Sequence, residues 1–245
     1  MVNGRDGTTF LVPSLREPIG FYLLVDGVYE LKATNFVLEH LKPGSVFIDI
    51  GANIGVFTIP AALKVGPTGC VVAIEPSPRV FPFLQQNLSF NGLSNVRSIQ
   101  CAAFNFDKQT VPFYEAPVDQ FGMGSLGAQF DVNPIPVLTH TLDYILSEQM
   151  IRQVDLIKVD VEGFEAAVFQ GAEKLLTGNK PPIVVFEFCD WAEGRVPEGR
   201  IGNAQRTLKD WGYRIWRLDD LLRGNRPLVD VLTSGFETLV AMKDS

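Results

Sequence analysis

Cysteine and histidine are scarce in this sequence: three thiols (Cys70, Cys101, Cys189) and two imidazoles (His40, His140) in 245 residues. No two cysteines stand at CxxC spacing and the histidines lie far apart. A disulfide framework and a structural zinc site are therefore both excluded. Unpaired thiols suit a reducing compartment, and the opening MVNGRDGTTF lacks the apolar stretch of a secretory signal. Both point to a cytoplasmic location. Positive charge is in deficit too. Lys and Arg number 21 against 28 Asp and Glu, a net charge of −7, which repels phosphate backbones and argues against a nucleic-acid partner. No aromatic-basic stripe of the kind that binds single strands is present. A long unbroken apolar run is also missing. VFIDIGANIGVFTIPAAL is interrupted by Asp49, Asn53 and two glycines, which makes it a poor membrane span and a good buried strand-turn-helix. Repeats, low-complexity tracts and a domain linker are absent.

What is there is ordinary globular composition, 46% hydrophobic and 20% charged. Residues 1–245 are expected to form one domain, with 1–31 an N-terminal strand region or lid (TTFLV and FYLLV as short strands) and 32–245 the core. KATNFVLEHL reads as a helix stopped by Lys42-Pro43-Gly44. From residue 45 strands alternate with helices: SVFIDIG, FTIPAALKV, GCVVAIEP, PRVFPFLQQNLSFNG, NVRSIQCAAF, an irregular stretch over 105–137, HTLDYILSEQ, VDLIKVD, EGFEAAVFQGAEKLLTG, PPIVVFEFC. The strands are continuous apolar runs, which means burial on both faces and a doubly wound, mostly parallel α/β sheet. The ending differs. After the helical NAQRTLKDWG, YRIWRLDD and FETLVAMK have no helix pattern between them, so an antiparallel C-terminal hairpin is expected at the sheet edge.

Three motifs carry chemistry. In VFIDIGANIG an acid ends a buried strand, and a glycine turn then opens a helix. Gly51 and Gly55 let backbone approach a ligand closely, at the strand ends where open α/β sheets bind ligands. VVAIEP ends on Glu75, 24 residues after Gly51, where one carboxylate can accept both hydroxyls of a ribose. Ser77-Pro78 also reads as a helix N-cap. A nicotinamide dinucleotide fits poorly, because the turn reads GANIG and not GxGxxG. A carboxylate at Asp49 aimed into the crevice suits an ammonium group better than a pyrophosphate. S-adenosylmethionine has that ammonium, a ribose and no phosphate. In DLIKVDVEGFE, Lys158, Asp160, Glu162 and Glu165 crowd the end of an apolar strand, with Glu187 at the end of the next. Burying such charges unpaired costs several kcal/mol each, an order-of-magnitude figure. They are either a catalytic group or an ion-pair network of Lys158 with Glu187 or Glu162.

The series VFIDIGANIG, AIEPSP, NGL, HTLDYIL and DLIKVDVEGFEAAVFQGA, in that order over roughly residues 30–190, resembles the FkbM-type family of S-adenosylmethionine-dependent methyltransferases. The resemblance implies the seven-stranded class I fold, strand order 3-2-1-4-5-7-6 with strand 7 antiparallel. It implies Asp49, Gly51, Ala52, Asn53 and Gly55 around the methionine part of the cofactor. Glu75 would lie on the ribose, with Pro76 and Ser77 beside it. Ala102 would sit near the adenine, and Glu30 of GVYE before the glycine loop. Asp160 would stand nearest the transferred methyl, and it or Glu162 would take a proton from a substrate hydroxyl, with Lys158 and Glu187 setting its field. A divalent metal on Asp160 and Glu187 is a weaker reading, because two carboxylates leave most of a cation's oxygens unsupplied. His140 is a further base to weigh. The stretches 115–137 and 190–203, with Phe121, Met123 and Trp191, are expected to shape the acceptor pocket. The expected acceptor is a small-molecule hydroxyl on a secondary metabolite or a sugar. An NAD-dependent oxidoreductase and a non-catalytic cofactor-binding module are the rival readings.

Overall fold

VFIDI forms strand β1 (Val46–Ile50) at the centre of a seven-stranded sheet. The others are β2 (Cys70–Ile74), β3 (Val96–Ile99), β4 (Leu156–Val159), β5 (Ile183–Cys189), β6 (Arg214–Arg217) and β7 (Phe236–Met242). Their order is β6-β7-β5-β4-β1-β2-β3. All pairs from β5 to β3 are parallel, and β7 runs antiparallel to both β5 and β6. This is the order 3-2-1-4-5-7-6 that the family resemblance implied. The computed structural model describes residues 1–130, 132–197 and 199–243. Asp131 and Glu198, inside the two stretches expected to shape the acceptor pocket, lie outside the described residues, as do Asp244 and Ser245.

Alternate residues of each central strand face opposite layers. Phe47, Val71, Ala73, Leu156 and Val185 pack under helices α1 (Pro18–Asp26), α2 (Leu31–His40), α3 (Thr58–Val65) and α4 (Phe81–Phe90). Ile48, Ile50, Val72, Ile74, Ile157, Val159 and Phe186 face the other layer, which holds α5 (Leu142–Glu148), α6 (Glu165–Gln170) and the helix Asn203–Asp210. Each of the larger of these side chains, fully buried, contributes about 1.5–3 kcal/mol. Asp49, Lys158 and Glu187 lie toward the carboxyl ends of β1, β4 and β5. No helix among the described residues is long and apolar enough to cross a membrane.

Five local expectations are corrected. FYLLV is part of α1, not a strand. Glu17 accepts the N–H groups of Gly20 (2.6 Å) and Ile19 (3.3 Å), Pro18 stands at the first helical position, and left-handed Gly27 ends the helix. A run of consecutive apolar residues has no period to tell strand from helix, whereas the caps do. NVRSIQCAAF splits: Val96–Ile99 joins the main sheet, while Ala102–Ala103 pairs with Ile135–His140 in a small separate sheet. The irregular stretch contains a strand, Thr110–Phe113, which pairs antiparallel with Ile135–His140. His140 therefore ends a strand instead of starting α5, whose cap is Thr141. EGFEAAVFQGAEKLLTG breaks into two helices around Gly171, where an added Cβ would meet the Phe104 carbonyl oxygen at 1.9 Å. The C-terminal hairpin is as expected, except that its connection carries a short helix, Leu218–Leu222.

Candidate active site

The turn after β1 is shaped by its close neighbours. Gly51 and Gly55 have positive φ, as does Asn53 at 51°. A Cβ on Gly51 would lie 1.9 Å from the Asp160 carbonyl oxygen. Only glycine lets the ends of β1 and β4 come this near. The Gly51 and Ala52 N–H groups both donate to the Ile74 carbonyl, which clamps the turn to the end of β2. There Glu75, buried, accepts the Asn53 N–H on Oε2 and the Ser77 N–H on Oε1, each at 2.9 Å. Burial raises its pKa to about 7 against the pull of those two N–H groups. Each carboxylate oxygen keeps a further lone pair for the cleft. The Ser77 Oγ accepts from the N–H groups of Arg79 and Val80 and donates to Glu115 (2.7 Å). Ser77 is thus a cap as well as a wall residue.

Above this turn lies a cleft of about 690 Å³. It brings together seven of the expected cofactor residues: Gly51, Asn53, Glu75, Pro76, Ser77, Ala102 and Asp160. Phe113, Phe121, Leu126 and Phe164 supply an apolar wall. Four expected residues stand elsewhere. Ala52 is buried in the core, and Gly55 packs on Leu84 and Ile59. Glu30 faces a separate 250 Å³ cavity behind the strand ends. Asp49 does not point into the crevice. It is fully buried, with Oδ2 accepting the Thr58 hydroxyl (2.5 Å) and Oδ1 lying 4.0 Å from the Lys158 ammonium without a hydrogen bond. Asp49 and Lys158 are register neighbours on β1 and β4, so the sheet itself turns the carboxylate sideways.

Lys158 pairs with Asp160 (3.1 Å) and Asp49, not with Glu187 or Glu162, and rests over the Phe57 ring. Burial alone would lower its pKa, but Asp160, Asp49 and Glu30 outweigh that and raise it. Lys158 is held as an ammonium and is not a base. Asp160, Glu162 and Glu187 bring carboxylate oxygens within 4.8 Å of one another. Burial first, then neighbouring carboxylates, push Glu162 up to about 8 and Glu187 well above the usual range; Glu30 rises to about 7. Glu162 is itself left-handed, at φ 55°. Glu165 anchors that turn by accepting the N–H groups of Val161 (3.1 Å) and Gly163 (3.3 Å). Ser125 and Gln129 donate to the Glu162 carbonyl.

A second cavity, of about 530 Å³, opens beside the first and shares Gly51, Asn53, Gly122 and Asp160 with it. Lys158, Glu162 and Glu187 line it, with Glu17, Tyr29, Gln120 and Met123. Glu17 and Tyr29 have no place in the expected site; the Glu17-Pro18 cap was the one sequence signal that α1 begins here. Phe121 faces the first cleft. Trp191, stacked against Arg195, and His140, stacked on Tyr144 and 3.8 Å from Asp107, line neither cavity.

The model of the FkbM methyltransferase domain matches residues 49–215, more than half of the chain. The chain belongs to the FkbM family of methyltransferases. Among its relatives, "Methyltransferase 1" of Beauveria bassiana is 29% identical over 196 residues, covering 70% of this chain and 73% of that protein. The "2-O-methyltransferase NoeI" of Sinorhizobium fredii is 26% identical over 176 residues, covering 65% and 68%. A precorrin-6y C5,15-methyltransferase from Geobacter metallireducens superposes with a TM-score of 0.50 at 15% identity, over 87% of each chain; it shares the class I fold. The cofactor of this FkbM protein is S-adenosylmethionine. The first cleft fits it, with a buried carboxylate that has free lone pairs at one end, an apolar wall, and no cluster of cations for a phosphate.

Proposed function

We propose that this enzyme transfers the methyl group of S-adenosylmethionine to a hydroxyl of a small molecule, such as a secondary metabolite or a sugar. One observation carries the reading. The cofactor cleft meets a second cavity at Asp160, and Glu162 in that cavity has a pKa near 8. A hydroxyl nucleophile gives up its proton on attack, and a base serves best when its pKa lies near the working pH. The name of the relative NoeI, a 2-O-methyltransferase, supports oxygen as the acceptor atom.

S-adenosylmethionine supplies a methyl group on a sulfonium, whose thioether leaves without assistance. The chain's residues bind and align. In this reading Glu75 accepts the ribose hydroxyls, with Pro76 and Ser77 beside it. Gly51 and Asn53 receive the methionine part, and Ala102 lies against the adenine. Asp49, Ala52 and Gly55 hold the turn from behind, and Glu30 acts on the acids from the rear cavity. Asp160 or Glu162 takes the proton, while Lys158 fixes Asp160 and, with Glu187, sets the field around it. Alignment offers effective molarities of about 10⁵–10⁸ M, against roughly 10²–10⁴-fold for a base. Orientation therefore contributes the larger share.

The test is transfer of isotope-labelled methyl to a panel of hydroxyl, amine and carbon acceptors, with products assigned by NMR. O-methyl ethers are expected. Label found only on nitrogen or carbon would refute the hydroxyl reading.

A further inference from the structure

The outer face of α1 is apolar throughout. Ile19, Gly20 and Leu23 are buried beneath it, while Phe21 (50% exposed), Tyr22 (47%), Leu24 (55%) and Val25 (61%) face outward, with no charge before Asp26. A surface helix ordinarily carries polar residues on that side. This face continues into the second cavity. Pro18 and Ile19, the first turn of α1, form part of its wall. The Phe21 ring packs edge-on against Tyr22 at 5.8 Å, and Tyr22 lies 6.2 Å from Tyr29, another wall residue. An aromatic path thus runs from the cavity onto the outer surface of the helix.

The size and charge of the face select its occupant. Four half-exposed side chains offer about 100 Å² each, about 400 Å² together. A stable dimer needs about 800 Å² from each partner. An anionic membrane surface needs a basic rim. Here Lys32 is paired with Asp219 at 2.7 Å, Arg5 donates to the Asp26 carbonyl, and the whole chain is at −7. A single hydrocarbon chain or ring system matches the area. The cavity at the other end of the path is lined by Glu17, Gln120, Glu162 and Glu187 and takes a polar group.

We propose that the acceptor is an amphiphile: its hydroxyl-bearing head enters the second cavity, and its apolar tail lies along Phe21, Tyr22 and Val25 of α1. This rests on the hydroxyl reading above and adds the tail to it. The test compares octyl β-glucoside, kept below micelle formation, with methyl β-glucoside on the protein saturated with S-adenosylhomocysteine. Binding is followed by calorimetry, and methyl transfer is assayed separately. The octyl compound is expected to bind at least tenfold tighter. The Phe21→Ser/Val25→Ser double variant should lose that preference at unchanged S-adenosylhomocysteine affinity. Met150→Ser, at a site 87% exposed on another surface, should keep it. Equal binding of the two glucosides, or a preference that survives in the double variant, would overturn the proposal. So would wild-type protein that elutes as a dimer while the double variant elutes as a monomer, because a second copy would then own the face. Equal methylation of both glucosides would sink the tail and leave the hydroxyl reading standing. Tail-dependent binding with label going only to nitrogen or carbon would do the reverse.

Discussion

Two residues at the end of β4, Lys158 and Glu162, answer to opposite rules. Lys158 is a buried cation among acids, so removing it leaves Asp49 and Asp160 without a counter-charge. Lys158→Met is expected to destabilise the fold by about 3–5 kcal/mol, the usual cost of breaking a buried pair on one side. Adding Asp49→Asn should recover part of the loss, and urea unfolding of the single and double variants measures both. Glu162 is a half-buried acid among acids, and desolvation pushes it up to about 8. If it is the base, wild-type kcat rises with pH as Glu162 loses its proton. Glu162→Gln should lower kcat by roughly 10²–10⁴-fold and flatten that rise, while S-adenosylhomocysteine affinity stays the same. An unchanged kcat and pH profile would move the role to Asp160.

At the scale of elements, the site depends on how closely strand ends and caps approach. Gly51→Ala adds a Cβ where the Asp160 carbonyl oxygen already stands, at a φ of 78°. The strained backbone alone costs about 1–3 kcal/mol, and the turn must pull away from β4. Cofactor binding should therefore fall together with thermal stability, which titration calorimetry and a melting curve would show. Glu17 does different work, as the cap that holds the first turn of α1 against the second cavity. Glu17→Ala should cost about 1 kcal/mol and raise KM for the acceptor. KM for S-adenosylmethionine should stay unchanged, because no α1 residue lines the first cleft, the one proposed to hold the cofactor.

For the whole molecule, the concentration of buried carboxyl groups sets how stability depends on pH. Glu162 and Glu165 titrate near 8 in the fold, against 4.5 for an ordinary glutamate. Between those values the folded chain keeps protons that the unfolded chain releases. Their contribution is complete below about pH 4.5 and is lost as pH rises through 8. The ligand-free protein should therefore melt several degrees lower at pH 9 than at pH 6, and Glu165→Gln should reduce that difference. S-adenosylhomocysteine at about 100 times its Kd should add roughly 2.7 kcal/mol, a rise of several degrees at this size. NAD⁺ should add nothing.

The parallel sheet and the glycine turn were legible in the sequence because they rest on local facts, whereas the strand order came from the family resemblance of the motifs. Short apolar runs alternating with helical segments point to central strands, GANIG marks a glycine turn between strand and helix, and Glu75 and Asp160 stand at strand ends by counting. Tertiary structure decided the rest. Asp49 looks like a crevice acid in one dimension, but strand register sets it beside Lys158 and Thr58. FYLLV has no period, so its caps and its packing against the core made it helix α1. Glu17 and Tyr29 reached the second cavity only because that helix folds over it. The acids that raise Glu162, Asp160 and Glu165, are its neighbours in sequence, but the largest cause of its proton affinity is burial, which only the folded chain supplies. Local sequence determines which backbone forms, and the electrostatics of a site depend on distances between segments that only the folded chain sets.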